Sequence, residues 1–389
     1  MRRYLVYLTL VVIATVALAQ APAKPQSPAK SKTAGANAAS ELPPKATVDS
    51  FLKHMFGYDP NVSWTAAGIK PSPVPGITEV TISFKTGPNS GAKKLYILPG
   101  QRQAIGGEMT PFPGEGSGER PSDAAINNYV RQATGGVNPG ITWTIAEVKP
   151  RAVSGLTQVS VLIKTPQGGG VVSFLVTADQ KYALRGEVVP FGRDPFAANR
   201  AKIEKGINGP ARGPANPSIM IVEFADLQCP ACKSAHPMIQ RLVNEVPNAR
   251  FVFQQFPLTQ AHKWAFKAAE YGECVYRENP AAFWKYLEAV YGAQEQITLE
   301  TGNSEDAGKK ASAKLKDLSA QAGANGQKVA ACAEESATAE RVNRSVELGR
   351  EVQISGTPTL FVGGRRISNL GQMPYDSLKR MVEYMAQGK

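Results

Sequence analysis

An apolar run, Ile219-Met220-Ile221-Val222-Glu223-Phe224, leads through four residues into Cys229-Pro230-Ala231-Cys232, and the segment from Cys232 to Val246 reads as a helix. A buried strand that ends at a C-x-x-C opening a helix holds two thiols close enough to form a small disulfide ring. The helix start adds unpaired N–H groups and the positive end of a dipole, and both favour a thiolate on the first cysteine. The thiolate is the attacking species in disulfide exchange. Cys229 is therefore the expected nucleophile and Cys232 the resolving thiol. A zinc site is a competing use of the motif, with His236, four residues after Cys232, as a third ligand. Structural zinc wants four ligands, and the remaining cysteines, Cys274 and Cys332, are isolated. His236 is expected on the helix surface near the site. A purely structural Cys229–Cys232 disulfide is the third reading of the pair.

A second segment, Gly356-Thr357-Pro358-Thr359-Leu360-Phe361-Val362-Gly363-Gly364, reads as a strand from Thr359 to Val362, a Gly-Gly turn, and a return from Arg365 to Ile367. Proline is tolerated at the first residue of a strand because its missing N–H need not pair. This Gly-Thr-Pro-Thr segment, whose Thr357 lies 125 residues beyond Cys232, resembles the cis-proline loop of the thioredoxin superfamily. The resemblance implies that Pro358 is cis and packs against Cys229, and that the backbone of Thr357 pairs with an extended substrate. Glu223 lies six residues before Cys229 on the expected central strand, where a carboxylate is costly unless paired or protonated. At the same spacing, thioredoxin-like proteins carry a buried acid that helps move the proton of the buried thiol. The resemblance makes Glu223 an auxiliary acid–base residue; an exposed position on a strand edge is the alternative.

The N-terminus reads as an export signal: Arg2-Arg3, an apolar stretch from Tyr4 to Val16, and the small-residue site Ala17-Leu18-Ala19. Cleavage is expected after Ala19, with an uncleaved membrane anchor as the alternative, although a span usually needs ~20 apolar residues. Export places the four cysteines in an oxidising compartment, a bacterial periplasm or the exterior. Gln20 to Lys45 is rich in Ala, Pro, Lys and Ser without apolar periodicity, which describes a flexible tether. The net charge is +12, but Arg2, Arg3, Lys24, Lys30, Lys32 and Lys45 all precede the first expected folded segment. No basic cluster interleaves with aromatic residues as a nucleic-acid platform requires, so nucleic acid is not an expected partner.

The segment from Trp64 to Phe112 recurs from Trp143 to Phe191 at a constant offset of 79, with eighteen identities in 49 ungapped pairs. Trp-Thr, Lys-Pro, Lys-Thr, Gly-Glu and Pro-Phe dipeptides all repeat. Chance composition does not produce such a match. Each copy reads as a short helix (around Val48 to Met55, and Ala124 to Gln132) followed by three strands. The first strand turns Val80, Ile82 and Phe84, or Val159, Val161 and Ile163, to one face. The second runs from Leu95 to Leu98, or Phe174 to Thr177, and the third from Ile105 to Met109, or Leu184 to Val189. Such α+β units have small cores and gain from a partner. The pattern Lys70-Pro71-Ser72-Pro73-Val74-Pro75-Gly76, then a strand, Leu95-Tyr96-Ile97 and Gly107, resembles the N-terminal domain of DsbC/DsbG-type isomerases. That resemblance implies a cystatin-like, dimerising unit. Neither copy contains a cysteine, so the copies are expected to bind, dimerise or space, as a pseudo-dimer within one chain or through a homodimer.

The resulting domain scheme is a signal over 1–19, a tether over 20–45, repeats over 46–115 and 122–195, a connector over 196–217 and a catalytic domain over 218–389. The order of strand, Phe224-Ala225-Asp226-Leu227-Gln228-Cys229-Pro230-Ala231-Cys232, helix, strand from Arg250 to Phe256, helical insertion over about 261–352 and Thr-Pro loop resembles the DsbA-like branch of the thioredoxin fold. The implied fold class is an α/β thioredoxin fold with an inserted helical subdomain, preceded by two small α+β cystatin-like repeats. Cys274 and Cys332 fall in the insertion. Two leftover cysteines of an exported protein most simply pair, and some members of the branch carry such a structural disulfide; free thiols or a relay role are the alternatives.

These readings converge on an exported thiol:disulfide oxidoreductase that acts on folding exported proteins and needs no metal or organic cofactor. Disulfide formation is the leading direction and implies a membrane partner of the DsbB or VKOR kind. The repeats, and the threonine before the proline, resemble the isomerases, whose membrane reductant is of the DsbD kind. A peptide-binding chaperone with a vestigial redox site, or a zinc-binding scaffold, stays open on the residues alone.

Overall fold

The computed structural model describes residues 42–388, apart from residues 115, 117–118, 137–139, 166–167, 303 and 368–369. The expected signal and nearly all of the tether lie outside the described residues. Among the described residues no helix is long and apolar enough to cross a membrane. The chain divides into two compact units between Pro195 and Phe196.

The first unit contains both repeats. Helix α1 (Lys45–Phe56) precedes strands β1 (Val62–Pro71), β2 (Thr78–Thr86), β3 (Asn89–Ile97) and β4 (Gln103–Pro111); helix α2 (Asp123–Ala133) precedes β5 (Thr142–Val153), β6 (Leu156–Thr165), β7 (Gly168–Val176) and β8 (Tyr182–Pro190). Ser122 caps α2, its hydroxyl accepting from the Ala125 N–H. Each copy thus has four strands, one more than its pattern indicates. The extra strands, β1 and β5, lie on the two edges of the sheet and carry bulges at Ala66/Gly68 and Ile145/Glu147. Half-burial and bulges blur the two-residue alternation, and an edge accommodates Pro71 and Pro150. Of the residues expected to face the core, Val80, Ile82, Val159 and Val161 are buried, while Phe84 and Ile163 are half-buried.

All eight strands form one sheet in the order β1-β2-β3-β4-β8-β7-β6-β5. The copies join where β4 pairs antiparallel with β8, and Gly107 lies opposite Gly186. These two glycines are equivalent in the repeat, so the junction has local two-fold symmetry. Side chains are sterically barred there: a Cβ on Gly107 would lie 1.8 Å from the Arg185 carbonyl oxygen, and one on Gly186 would lie 2.1 Å from that of Gly106.

The residues just past β4 and β8 cross the junction. Phe112 of copy one packs with Tyr129 and Phe174 of copy two, at ring-centroid distances of 5.4 and 6.4 Å. Its counterpart Phe191 packs on Phe51 of copy one at 5.4 Å. A separate cluster joins Ile77, Tyr96, Leu98 and Ile105 of copy one to Leu156, Leu175 and Leu184 of copy two. Each copy therefore completes the core of the other, which answers the size problem of a 70-residue unit.

The second unit begins with α3 (Ala197–Gly206) and the short β9 (Ala211–Arg212), continues through β10 (Ile219–Ala225), α4 (Pro230–Glu245) and β11 (Ala249–Gln255), and enters the helices α5 (Ala265–Glu278), α6 (Pro280–Thr301), α7 (Ala307–Gln321), α8 (Gly326–Cys332) and α9 (Ser336–Glu351). It closes with β12 (Thr359–Val362), β13 (Arg365–Ile367) and α10 (Tyr375–Ala386). The sheet order is β13-β12-β10-β11-β9, with β10 parallel to β11 and antiparallel to β12. Segment 196–217, expected as a connector, belongs to this unit. Ile203 of α3 is buried with Val222, Phe224, Val252 and Phe361, and β9 extends the sheet along β11. Both pieces are too short and too polar to announce themselves by periodicity. Cys274 and Cys332 are bonded, joining α5 to α8 across 58 residues; closing such a loop is worth about 4 kcal/mol on the chain-entropy account.

Truncating Phe112 to alanine is expected to destabilise the first unit by about 3–5 kcal/mol. Hydrogen exchange read by mass spectrometry should rise in α2, on the copy that does not contain the substitution. Faster exchange limited to copy one would contradict the exchanged core.

Candidate active site at the start of helix α4

Strand β10 is paired on both sides and almost wholly buried, so its C-terminal end is rigidly placed. Four residues beyond its last residue, Ala225, Cys229 takes the N-cap position of α4 with Pro230 as the first helical residue, the position that needs no N–H donor. Cys229 is 6% exposed and Cys232 is fully buried. The two thiols are therefore unequal. The Cys232 thiol donates to the Cys229 sulfur, and the Thr357 side chain and the N–H groups of Cys232 and Ala231 also favour charge there; against the cost of burial, they bring the Cys229 pKa down to about 6. Burial first, then the neighbouring Cys229, pushes Cys232 well above the ordinary thiol range. The Thr357–Pro358 peptide is cis, and the Thr357 carbonyl oxygen lies 3.5 Å from Cys229 Sγ, in position to accept from the thiol.

Behind the cysteines the sheet carries Glu223. It is 1% exposed, which rules out the strand-edge alternative, and neither carboxylate oxygen has a hydrogen-bond partner. Burial, partly opposed by the charge of Arg212, raises its pKa to about 8. Its charge is felt at Cys232 and at Tyr291, a fully buried tyrosine of α6. His236 does not lie on the helix surface as expected. It is buried, its ring meets the Tyr291 ring at 5.2 Å, and desolvation lowers its pKa to about 4. The packing of α6 over this face of α4, a tertiary event, buries it. Among the described residues no group of three or more His, Cys, Asp or Glu side chains is arranged to hold a metal ion.

The loop from Asp226 to Cys229 is held by groups that the motif does not include. Asp226 accepts from the Gln228 N–H at 2.7 Å, the Leu258 N–H at 2.8 Å and His262 Nδ1 at 2.7 Å. The Asp226 N–H points at Cys232 Sγ from 3.5 Å. The Gln228 side chain accepts from the Trp264 N–H at 2.9 Å. Gln294 of α6 donates to the carbonyls of Leu227 and Cys229 at 2.8 and 3.2 Å.

The description of the thioredoxin family matches residues 205–384, just under half of the chain. This half of the chain is a thioredoxin-family domain. The Na(+)/H(+) antiporter NhaA 3 of Salinispora tropica is 28% identical to the chain over 155 residues, 40% of this chain and 22% of that protein. The chain thus spans only about a fifth of the length of that relative. Disulfide bond formation protein D of Bacillus subtilis is 26% identical over 187 residues, 46% of this chain and 78% of that protein. Among solved structures, oxidised BdbD from Bacillus subtilis aligns with a TM-score of 0.39 at 24% identity, covering 47% of this chain and 99% of that one. The catalytic domain of Proteus mirabilis ScsC aligns with a TM-score of 0.40 at 20% identity, covering 49% and 99%.

Within the thioredoxin-family domain the fold brings Cys229, Cys232, Thr357, Pro358 and Glu223 together and leaves the Cys274–Cys332 disulfide in the helical insertion. Sequence reasoning missed Asp226, Gln228, His262 and Gln294. Asp226 carried a signal, an acid at the end of an apolar strand; His262 and Gln294, far along the chain, carried none.

Iodoacetamide should alkylate Cys229 of the reduced protein with a midpoint near pH 6, while Cys232 stays unmodified at the same pH. A midpoint in the ordinary thiol range would refute the asymmetry. Glu223 gives a second prediction. Its folded pKa of about 8 lies above the ordinary 4.5, so its contribution to stability is complete below about pH 4.5 and is lost as pH rises to about 8. Glu223→Gln should therefore be more stable than the parent at pH 7, by on the order of 1–3 kcal/mol. That advantage should shrink toward pH 4.5, as read by urea denaturation across pH.

Proposed function

We propose that the chain is an exported thiol:disulfide oxidoreductase that forms disulfides in secreted proteins. The observation that carries this reading is the inequality of the pair, a nearly buried Cys229 whose thiolate is favoured beside a fully buried Cys232 whose thiolate is not. In the oxidised enzyme a substrate thiolate attacks Cys229, the bond to Cys232 breaks, and Cys232 leaves and takes up a proton. The second substrate thiol gives up its proton and attacks the substrate sulfur of the mixed disulfide, expelling Cys229 as a thiolate. The substrate loses two electrons and the enzyme gains them. Glu223 is the auxiliary group that handles the Cys232 proton, and the backbone at Thr357, before Pro358, is where an extended substrate segment pairs.

A stabilised Cys229 thiolate favours the reduced enzyme and so makes the disulfide a better oxidant. The likeness to disulfide bond formation protein D points the same way. Turnover in that direction calls for a membrane oxidant of the DsbB or VKOR kind. The expected signal places the reaction in the periplasm or outside the cell. The paired repeats support a second reading, an isomerase with a reductant of the DsbD kind. In that reading the single-chain sheet does what two chains do in a dimeric isomerase.

The deciding measurement is the reduction potential of the Cys229–Cys232 pair, by equilibration with glutathione and mass spectrometry. A value more oxidising than about −180 mV supports disulfide formation, and a thioredoxin-like value near −270 mV supports reduction or isomerisation. Cys232→Ser should accumulate a mixed disulfide at Cys229, and Cys229→Ser should abolish exchange. Exchange that survives in Cys229→Ser would defeat the reading.

A further inference from the structure

The dipeptide between the cysteines, Pro230-Ala231, supplies no side chain that can carry a positive charge to the thiolate. The fold supplies one from 33 residues beyond Cys229. His262 stands in the turn between β11 and α5, where its N–H bonds to the Leu258 carbonyl. Its ring is fixed by the contact of Nδ1 with Asp226 Oδ2 at 2.7 Å, and its side chain is 19% exposed against 0% for Asp226. The same carboxylate also ties down the Gln228 N–H next to Cys229, and the Asp226 backbone touches Cys232 Sγ. One buried acid therefore connects the imidazole to both cysteines.

We propose that His262, oriented by Asp226, is the positioning cation of the redox pair, stabilising the Cys229 thiolate and holding a proton when the pair is reduced. This inference rests on the disulfide-exchange reading above. The geometry places a hydrogen on Nδ1 and leaves Nε2 to gain or lose the proton. A carboxylate that already accepts from two backbone N–H groups is a poor place for a neutral acceptor nitrogen, so Nδ1 carries hydrogen. Asp226 first, then the Cys229 charge, raises the His262 pKa, while burial opposes them. Asp226 and Cys229 are the charged groups that raise it; Lys263, the next residue, is drawn to Glu305 at 2.7 Å. Proton balance follows. Oxidation of two substrate thiols releases two electrons and two protons. The electrons enter the Cys229–Cys232 bond, one proton ends on Cys232, and the other ends on His262, leaving a thiolate–imidazolium pair.

The test is His262→Asn, whose amide can keep the hydrogen bond made by Nδ1 but not the charge. Circular dichroism first checks that the variant is folded. The glutathione equilibrium constant of the variant should shift about tenfold against the reduced form, about 30 mV for a two-electron couple, and the alkylation midpoint of Cys229 should rise. NMR titration of the His262 ring in the unsubstituted protein gives an independent readout. Its midpoint should be higher in the reduced protein than in Cys229→Ser, which has no thiolate. Equal midpoints, or an unchanged equilibrium and alkylation profile in His262→Asn, would overturn the proposal while leaving disulfide exchange intact. If the unsubstituted protein fails to exchange with glutathione, the functional reading falls instead, and the NMR comparison still decides whether the imidazole and the thiolate are coupled.

Discussion

The placement of the two thiols depends on the burial of one short strand. β10 lies between β11 and β12 with nearly every side chain out of water, and its end sets where α4 begins. Because the strand cannot shift register without exposing Ile221, Val222 and Phe224, the turn that follows has one place to go. Cys229 then lies at a helix N-terminus, where backbone N–H groups face its sulfur, and Cys232 one turn further in, without access to water. A single geometric constraint thus makes two chemically identical side chains behave differently.

The buried polar groups around this junction fall into two sets. Asp226, Gln228 and Gln294 are bonded, and they brace the loop that carries Cys229. Glu223 is not bonded, and an unbonded buried carboxylate is retained only at a cost in stability. Such a cost is concentrated where a group has a chemical task. Here it lies within electrostatic reach of the Cys232 thiol.

The first unit solves a different physical problem. A 70-residue α+β repeat buries little apolar surface, and the edge strand it would present invites uncontrolled pairing. Joining β4 to β8 covers both inner edges at once, and the reciprocal insertion of Phe112 and Phe191 makes each core depend on its neighbour. The remaining edges, β1 and β5, are bulged and contain proline, which discourages further addition of strands.

Much of this was legible in the sequence because it is local or periodic. The strand, the C-x-x-C and the helix after it are contiguous; the 79-residue repeat is visible as identity; the Thr-Pro segment is short and distinctive. β1 and β5 were missed because half-buried, bulged edge strands lose their alternation. α3 and β9 were missed as parts of the second unit because their attachment is made by packing on residues far away. His236 was misplaced because only the arrival of α6 buries it, and His262 was overlooked because a turn between distant elements brings it to Asp226. By itself the sequence determined where the C-x-x-C pair lies, between a strand and a helix, and that the first half is duplicated. Only the tertiary structure decided which groups surround those sulfurs and how the duplicates join, since burial and charge at a site are set by chain segments that meet only on folding.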